Sequence, residues 1–259
     1  MNPKKTCIVL ILVLIAPLLT GAYCLAMPKA EGIELPNHLK LLVFEEHSIP
    51  IVTLELLTAA GSVRDPQDMR GLANLTAKSL MMGTRFLSFD QLNERLDFIG
   101  SGFDVDCSRD FAMIGMQVLK KDLGEGVGLF AEVIIHPSFP AADVDGQKDD
   151  IIGSLRAKED DPVEVASRAF DKALFLDNAY AGPLEGTEKS VAAMNTENIS
   201  KFYASFYRPN DSVLVIGGDI TLQEVKTLIV PILSEWQAGE GRTVFPKGIR
   251  RRGRECGHR

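Results

Sequence analysis

Apolar residues recur in this chain with two periods, and the switches between them outline its elements. Residues 39–44 are rich in Leu, Val and Phe and read as a strand. A polar turn over 45–50 leads to a second strand at 51–57, so the two are expected to form a hairpin. Helical spacing takes over at 70–83, with Leu72, Leu75 and Leu80 toward the core and Gly83 as the stop. Ser88 stands as an N-cap ahead of Phe89, Leu92, Leu96 and Ile99, and Gly100-Ser101-Gly102 ends that helix. Residues 103–107 alternate as a half-buried strand, and 111–118 form its hairpin partner. Helices are expected at 121–135, 141–158, 163–176, 196–207 and 221–235, with a buried strand at 212–219 between the last two. Two hairpins separated by paired helices define an α+β fold, a largely antiparallel sheet covered by helices.

The first residues break this pattern. Lys4 and Lys5 precede an apolar run over 8–16, then Pro17, Gly21 and the small-residue site Cys24-Leu25-Ala26 follow. These are the parts of a secretory signal peptide cut near Ala26, with an uncleaved membrane anchor as the alternative. Removal of residues 1–26 takes two lysines and no acidic residue, which moves the net charge from −7 to −9. So acidic a chain is not built to hold nucleic-acid phosphates. The basic residues Arg250, Arg251, Arg252, Arg254 and Arg259 cluster in a tail, 241–259, that reads as solvated and unstructured. Beyond the signal only Cys107 and Cys256 remain, which excludes a disulfide scaffold. His38, His47, His136 and His258 stand at no ligand spacing.

Five positions in the first long helix carry the candidate chemistry: Asn74-Leu75-Thr76-Ala77-Lys78. They sit in Ser62-Val63-Arg64-Asp65-Pro66, then Arg70-Gly71-Leu72-Ala73, and Ser79-Leu80-Met81-Met82-Gly83-Thr84 beyond. The frame resembles the first active-site segment of the insulinase-like metallopeptidases (relatives of pitrilysin and mitochondrial processing peptidase), where Gly-Leu-Ala runs into the inverted zinc motif H-x-x-E-H. Four further segments extend the resemblance: 35–50 as an opening hairpin, though Gly is usual at His38; 96–110 as the edge-strand segment; Tyr180 to Gly186 with Ser190; and above all Tyr207-Arg208-Pro209-Asn210-Asp211 through Gly218-Asp219.

The resemblance implies the insulinase-like fold and a zinc peptidase site, but at the positions of its ligands and base this chain has Asn74, Ala77 and Lys78. Aligning on 156–162 puts Ser154, or its neighbour Gly153, at the third ligand, a Glu in the family. A neutral amide is a poor zinc ligand, Ala77 can take no proton from a bound water, and an ammonium repels a dication. The reading is therefore a non-catalytic subunit or fragment with no catalytic residue, no metal ligand and no cofactor, zinc belonging to active relatives. By the same resemblance its partners are a catalytic insulinase-like subunit or a missing C-terminal half, together with unfolded peptides. Asp104, Val105 and Asp106 on the edge strand are the candidate peptide contacts, acidic enough to favour basic segments. An edge strand whose charges only discourage aggregation is the plain alternative. An active endopeptidase with unconventional ligands and a truncated remnant without activity are the alternative functions. The expected organisation is a signal at 1–26, an N-terminal peptidase domain at 33–190, the start of the family's second, inactive segment at 191–240, and the tail. Export to a bacterial periplasm follows from the signal, and contact with a membrane only if that segment stays uncut.

Overall fold

Every second residue of the strand Ile51–Thr58 is buried, and that alternation sets the layers of the molecule. The computed structural model describes residues 30–239 except Asp177. The expected signal at 1–26 and tail at 241–259, with Cys256, lie outside the described residues. Six strands form one sheet: β1 (Glu31–Glu34), β2 (Lys40–Glu45), β3 (Ile51–Thr58), β4 (Phe103–Cys107), β5 (Ala112–Leu119) and β6 (Ser212–Gly218), in the order β1-β2-β6-β3-β5-β4. Only the β2–β6 pairing is parallel. Leu41, Val43, Leu54, Leu56, Ile114, Met116, Leu214 and Ile216 form the buried face.

The helices are α1 (Leu72–Ser79), α2 (Phe89–Phe98), α3 (Leu123–Ile135), α4 (Ala141–Glu159), α5 (Pro162–Phe175), α6 (Glu188–Ala193) and α7 (Thr196–Phe206). The last helical run, Leu222–Glu224 to Val230–Leu233, passes through a π-type turn at Val225–Ile229. Leu75, Leu80, Leu92, Phe130 and Ile199 bring α1, α2, α3 and α7 into one core with the sheet. Ser88 caps α2 as expected, with Gln91 returning the bond to make a capping box. The α+β reading and the β4–β5 hairpin hold, and β4 is an edge strand.

The expected hairpin between residues 39–44 and 51–57 does not form. β6 inserts between β2 and β3, parallel to the first and antiparallel to the second. The six-residue turn over 45–50 is too long to force the strands together. Val213, Leu214, Val215 and Ile216 form an apolar run that belongs in the middle of a sheet, paired on both sides. Residues on both sides of position 190 thus share one sheet. At the end of β6, Gly218 has φ +122°, and a Cβ there would lie 2.1 Å from the carbonyl oxygen of Ile51. His38, where the resembling family has Gly, is also left-handed at φ 67° and is held by Glu34. Two elements escaped the sequence pattern: β1, four residues of which three are exposed, and the six-residue α6.

Gly218→Ala is expected to destabilise the protein by about 2–4 kcal/mol, because strain and a backbone collision coincide. Urea unfolding of wild type and variant measures it, and a change below about 0.5 kcal/mol would show that β6 can leave the sheet differently.

Candidate functional site

The site begins with how α1 is started. Its N-cap residue is Gly71, at φ 95°, and its first amides are met from outside: Asp65 Oδ2 accepts from Gly71 N at 2.8 Å and Oδ1 from Ala73 N at 2.7 Å. A carboxylate at this end also suits the helix dipole. Burial nevertheless dominates and pushes the Asp65 carboxyl up to about 6, against the two amide bonds. A Cβ on Gly71 would lie 2.4 Å from the carbonyl oxygen of Glu185, and one on Gly186 (φ 85°) 2.2 Å from that of Arg70. Ser190 Oγ donates to the same Arg70 oxygen at 2.7 Å. Backbone segments 70–71 and 185–186 are thereby fixed against each other.

This closure brings together residues far apart in sequence. Lys78 on α1, Gln147, Asp150, Ile151 and Ser154 on α4, and Glu185 line one small cavity of about 60 Å³. Asn74 and Ala77 are buried on the same helix. Asn74 Nδ2, Thr76 Oγ1 and Ser79 Oγ are buried without hydrogen-bond partners, an unusual density for one short helix. Lys78 makes no ion pair among the described residues, whereas Glu185 holds Lys158 Nζ at 2.8 Å. Sequence reasoning missed Glu185 and Asp65. Asp65 stood inside the quoted frame beside Pro66, a cue for a turn feeding a helix, but nothing marked its aim at Gly71. Asp149 and Asp150 are both exposed, yet Asp150 also faces the cavity.

A larger cavity of about 550 Å³ lies alongside, between the end of β4, α5 and residues 181–185. Cys107, Arg109, Leu155, Lys158 and Asp171 are among its walls. Arg109 braces it, donating to Asp171 Oδ2 at 2.6 Å and to the Gly182 carbonyl at 3.0 Å. Tyr180 OH donates to Asp110 next door. Burial pushes the Cys107 thiol up to about 12, so it stays protonated. Asp104 and Val105 lie just before this wall on β4 and Asp106 is part of it, the two carboxylates exposed and paired in register with Gly115 and Met113.

A model of the insulinase peptidase family, M16, matches residues 41–188, more than half of the chain, and a model of the M16 inactive domain matches 193–255. The chain belongs to the insulinase family. An uncharacterized zinc protease of Rickettsia bellii is 21% identical over 213 residues, covering 82% of this chain and 52% of the relative. The non-peptidase homolog YmxG of Helicobacter pylori is 24% identical over 184 residues, covering 71% of this chain and 43% of the relative. Among solved structures, the M16 inactive domain from Pseudomonas fluorescens superposes with a TM-score of 0.80 at 22% identity, over 85% of this chain and 54% of that one. The periplasmic protease PqqL of Escherichia coli gives 0.77 at 21%, over 85% and 25%. The chain spans about half the length of the curated relatives it matches.

Insulinase-family zinc proteases raise the question of whether zinc fits here. The aligned positions offer an amide (Asn74), a methyl group (Ala77), an ammonium (Lys78) and a hydroxyl (Ser154). Zinc is held by imidazole, thiolate or carboxylate, and the ammonium lines the very cavity in question. Among the described residues no three His, Cys, Asp or Glu side chains are grouped to hold a metal ion. The donor set does not fit zinc.

Because the Asp65 carboxyl rises from 3.8 unfolded to about 6 folded, the native state binds the extra proton. Its contribution is therefore complete below pH 3.8 and lost as pH rises through 6. At about 1.4 kcal/mol per unit, the stability of wild type minus Asp65→Asn is expected to fall by about 2–3 kcal/mol between pH 4 and pH 7. A difference that stays flat in urea titrations across that range would remove the shift.

Proposed function

We propose that this chain is a non-catalytic insulinase-family half that holds peptide together with a zinc-bearing partner or a C-terminal half. The observation that carries the reading is the cavity in which Lys78 and Ser154 meet. Seventy-five residues lie between these two in the chain, and with Asn74 they are the residues that alignment assigns to ligand positions. Their convergence supports the alignment, and their chemistry supports loss of the metal. With no base at Ala77, no residue of this helix can activate a water as the family's Glu does. The relation to a non-peptidase homolog of Helicobacter pylori is consistent with this reading.

The retained function is then recognition. β4 is an edge strand, so its free backbone groups can add a peptide as a further strand. Asp104 and Asp106 stand exposed on that edge and favour basic side chains, while Val105 turns toward the core. A partner domain would complete the wall that this half leaves open, as the half-length match to relatives supports. The expected signal at 1–26 and the periplasmic PqqL neighbour support an extracytoplasmic site, which cell fractionation tests; recovery only with cytoplasmic markers would sink it. No described helix is long and apolar enough to cross a membrane.

Purified protein is expected to carry far less than stoichiometric zinc, and any peptidase activity to be insensitive to chelators. Stoichiometric zinc with chelator-sensitive cleavage would instead establish an active enzyme with other ligands. For the edge strand, calorimetric titration is expected to show basic extended peptides binding more tightly than acidic ones. Asp104→Asn/Asp106→Asn should weaken the basic peptide by roughly 2- to 10-fold, the range for exposed ion pairs. Equal binding of both peptide classes by wild type would remove β4 from the site, and no peptide binding at all would favour a remnant.

A further inference from the structure

No strand pairs with the outer edge of β4 among the described residues, and both exposed side chains of that strand are acidic. Asp104 and Asp106 stand two residues apart on its solvent face, and neither makes an ion pair among the described residues. Open edges of this kind are ordinarily blunted or covered. The sequence carries the opposite charge in its tail. The last thirteen residues hold six of the 28 basic residues and only one of the 35 acidic ones. They lie outside the described residues, but the fold fixes where they set out from. Gly239 N donates to Asn210 Oδ1 at 2.9 Å, and Asn210 stands two residues ahead of β6. Ser212 at the start of β6 is opposite Thr58, Thr58 is opposite Ala112, and Ala112 is opposite Cys107 at the end of β4. Three strand spacings, about 15 Å, therefore separate that end of β6 from that end of β4.

We propose that the edge of β4 is occupied by the chain's own basic segment, Lys247 to Arg254, in competition with incoming peptide. The inference rests on the peptide-binding reading above and adds the regulation of that site. Reach, direction and charge each agree. The eleven residues from Gly239 to Arg250 span up to about 36–40 Å, more than twice the separation across the sheet. A segment arriving from the β6 side meets Cys107 first and runs toward Phe103, so it lies antiparallel to β4, the more stable pairing. Extended backbone puts Arg250 and Arg252 on one face. In antiparallel order Arg250 falls opposite Asp106 and Arg252 opposite Asp104, the opposite-charge pairing that stabilises neighbouring strands. Ile249 then falls opposite the inward Cys107, and Arg251, opposite Val105, extends its stem past the edge to keep its guanidinium in water. A segment tethered at this length acts at an effective concentration on the order of mM, enough for exposed ion pairs to hold it while leaving it displaceable. A basic peptide must displace the tail before it can pair with β4, so weakly basic segments are turned away and strongly basic ones admitted.

Calorimetric titration of the full chain with a basic extended peptide tests it, comparing wild type with Arg250→Glu/Arg252→Glu. The variant is expected to bind the peptide about 3- to 10-fold more tightly, the gain from removing a competitor at an effective concentration on the order of mM. A second measurement reads the tail directly. In a chain carrying Cys7→Ser and Cys24→Ser, Cys107 is 3% exposed, which leaves Cys256 to take a nitroxide label. The label is expected to broaden the amide resonances of residues 103–107, and Arg250→Glu/Arg252→Glu to restore them. Equal peptide affinity of wild type and variant overturns the proposal and leaves the peptide-binding reading standing. A variant that binds no basic peptide overturns both. Broadening that misses 103–107 overturns the site, and broadening that grows with protein concentration overturns the chain's own tail in favour of a neighbouring copy's.

Discussion

The structure depends on the contact between two glycine-bearing backbones, 70–71 and 185–186. Each segment presents a carbonyl where the other has no side chain, and neither position could carry a Cβ without collision. Ser190 bonds across the join and Asp65 fixes the first amides of α1. From this follow the direction of α1, the approach of Glu185 to Lys78, and the placing of residues 181–185 as a wall of the large cavity. A dense backbone contact leaves little freedom to α1, so replacing the chemistry on that helix does not move it. That is how a peptidase frame can persist around a site whose donor set does not fit the metal.

Charge explains how an ammonium is accommodated on α1. Lys78 reaches a small cavity with Asp150 and Glu185 as neighbours, and Glu185 is also held by Lys158. No charge is left buried alone, since Lys78 is only partly covered and Asp150 is exposed. The weaker balance is along α1 itself, where Asn74, Thr76 and Ser79 keep buried polar atoms without partners. Each such group costs about 1–3 kcal/mol relative to a satisfied one.

Most of the fold was legible in the sequence because its helices are long and its strands alternate cleanly. The Ser88 cap and the period-2 pattern of 103–107 each left a local signature. What was not legible was non-local. Nothing in 39–57 announces that β6, more than 150 residues later, will divide the apparent hairpin; only the apolar run of 213–216 hinted at a central strand. β1 is too short and exposed to show a period. For the site, the resemblance paired Lys78 with Ser154 although they are distant in sequence, and the cavity they line accords with it. Glu185 stayed invisible because its place comes from a backbone contact at Gly186, and a glycine in sequence does not say which carbonyl it makes room for.

The same distinction separates what the fold requires from what it presents. Residues of the inner sheet face are buried and mostly apolar, with Thr58 and Ser212 the polar exceptions at the ends of β3 and β6. The outer features are not what packing would choose: Asp104 and Asp106 stand on an unpaired edge, and α5 turns Val163 and Phe170 to solvent while directing Arg168 and Asp171 inward. An isolated domain gains nothing from either, because exposed apolar area forgoes about 25 cal/mol per Å² of burial. The departures also have different chemistry, an acidic backbone edge and an apolar helical stripe. One strand of peptide could not satisfy both. The acidic edge and the apolar stripe are therefore separate features of the surface, each unexplained by packing within this domain.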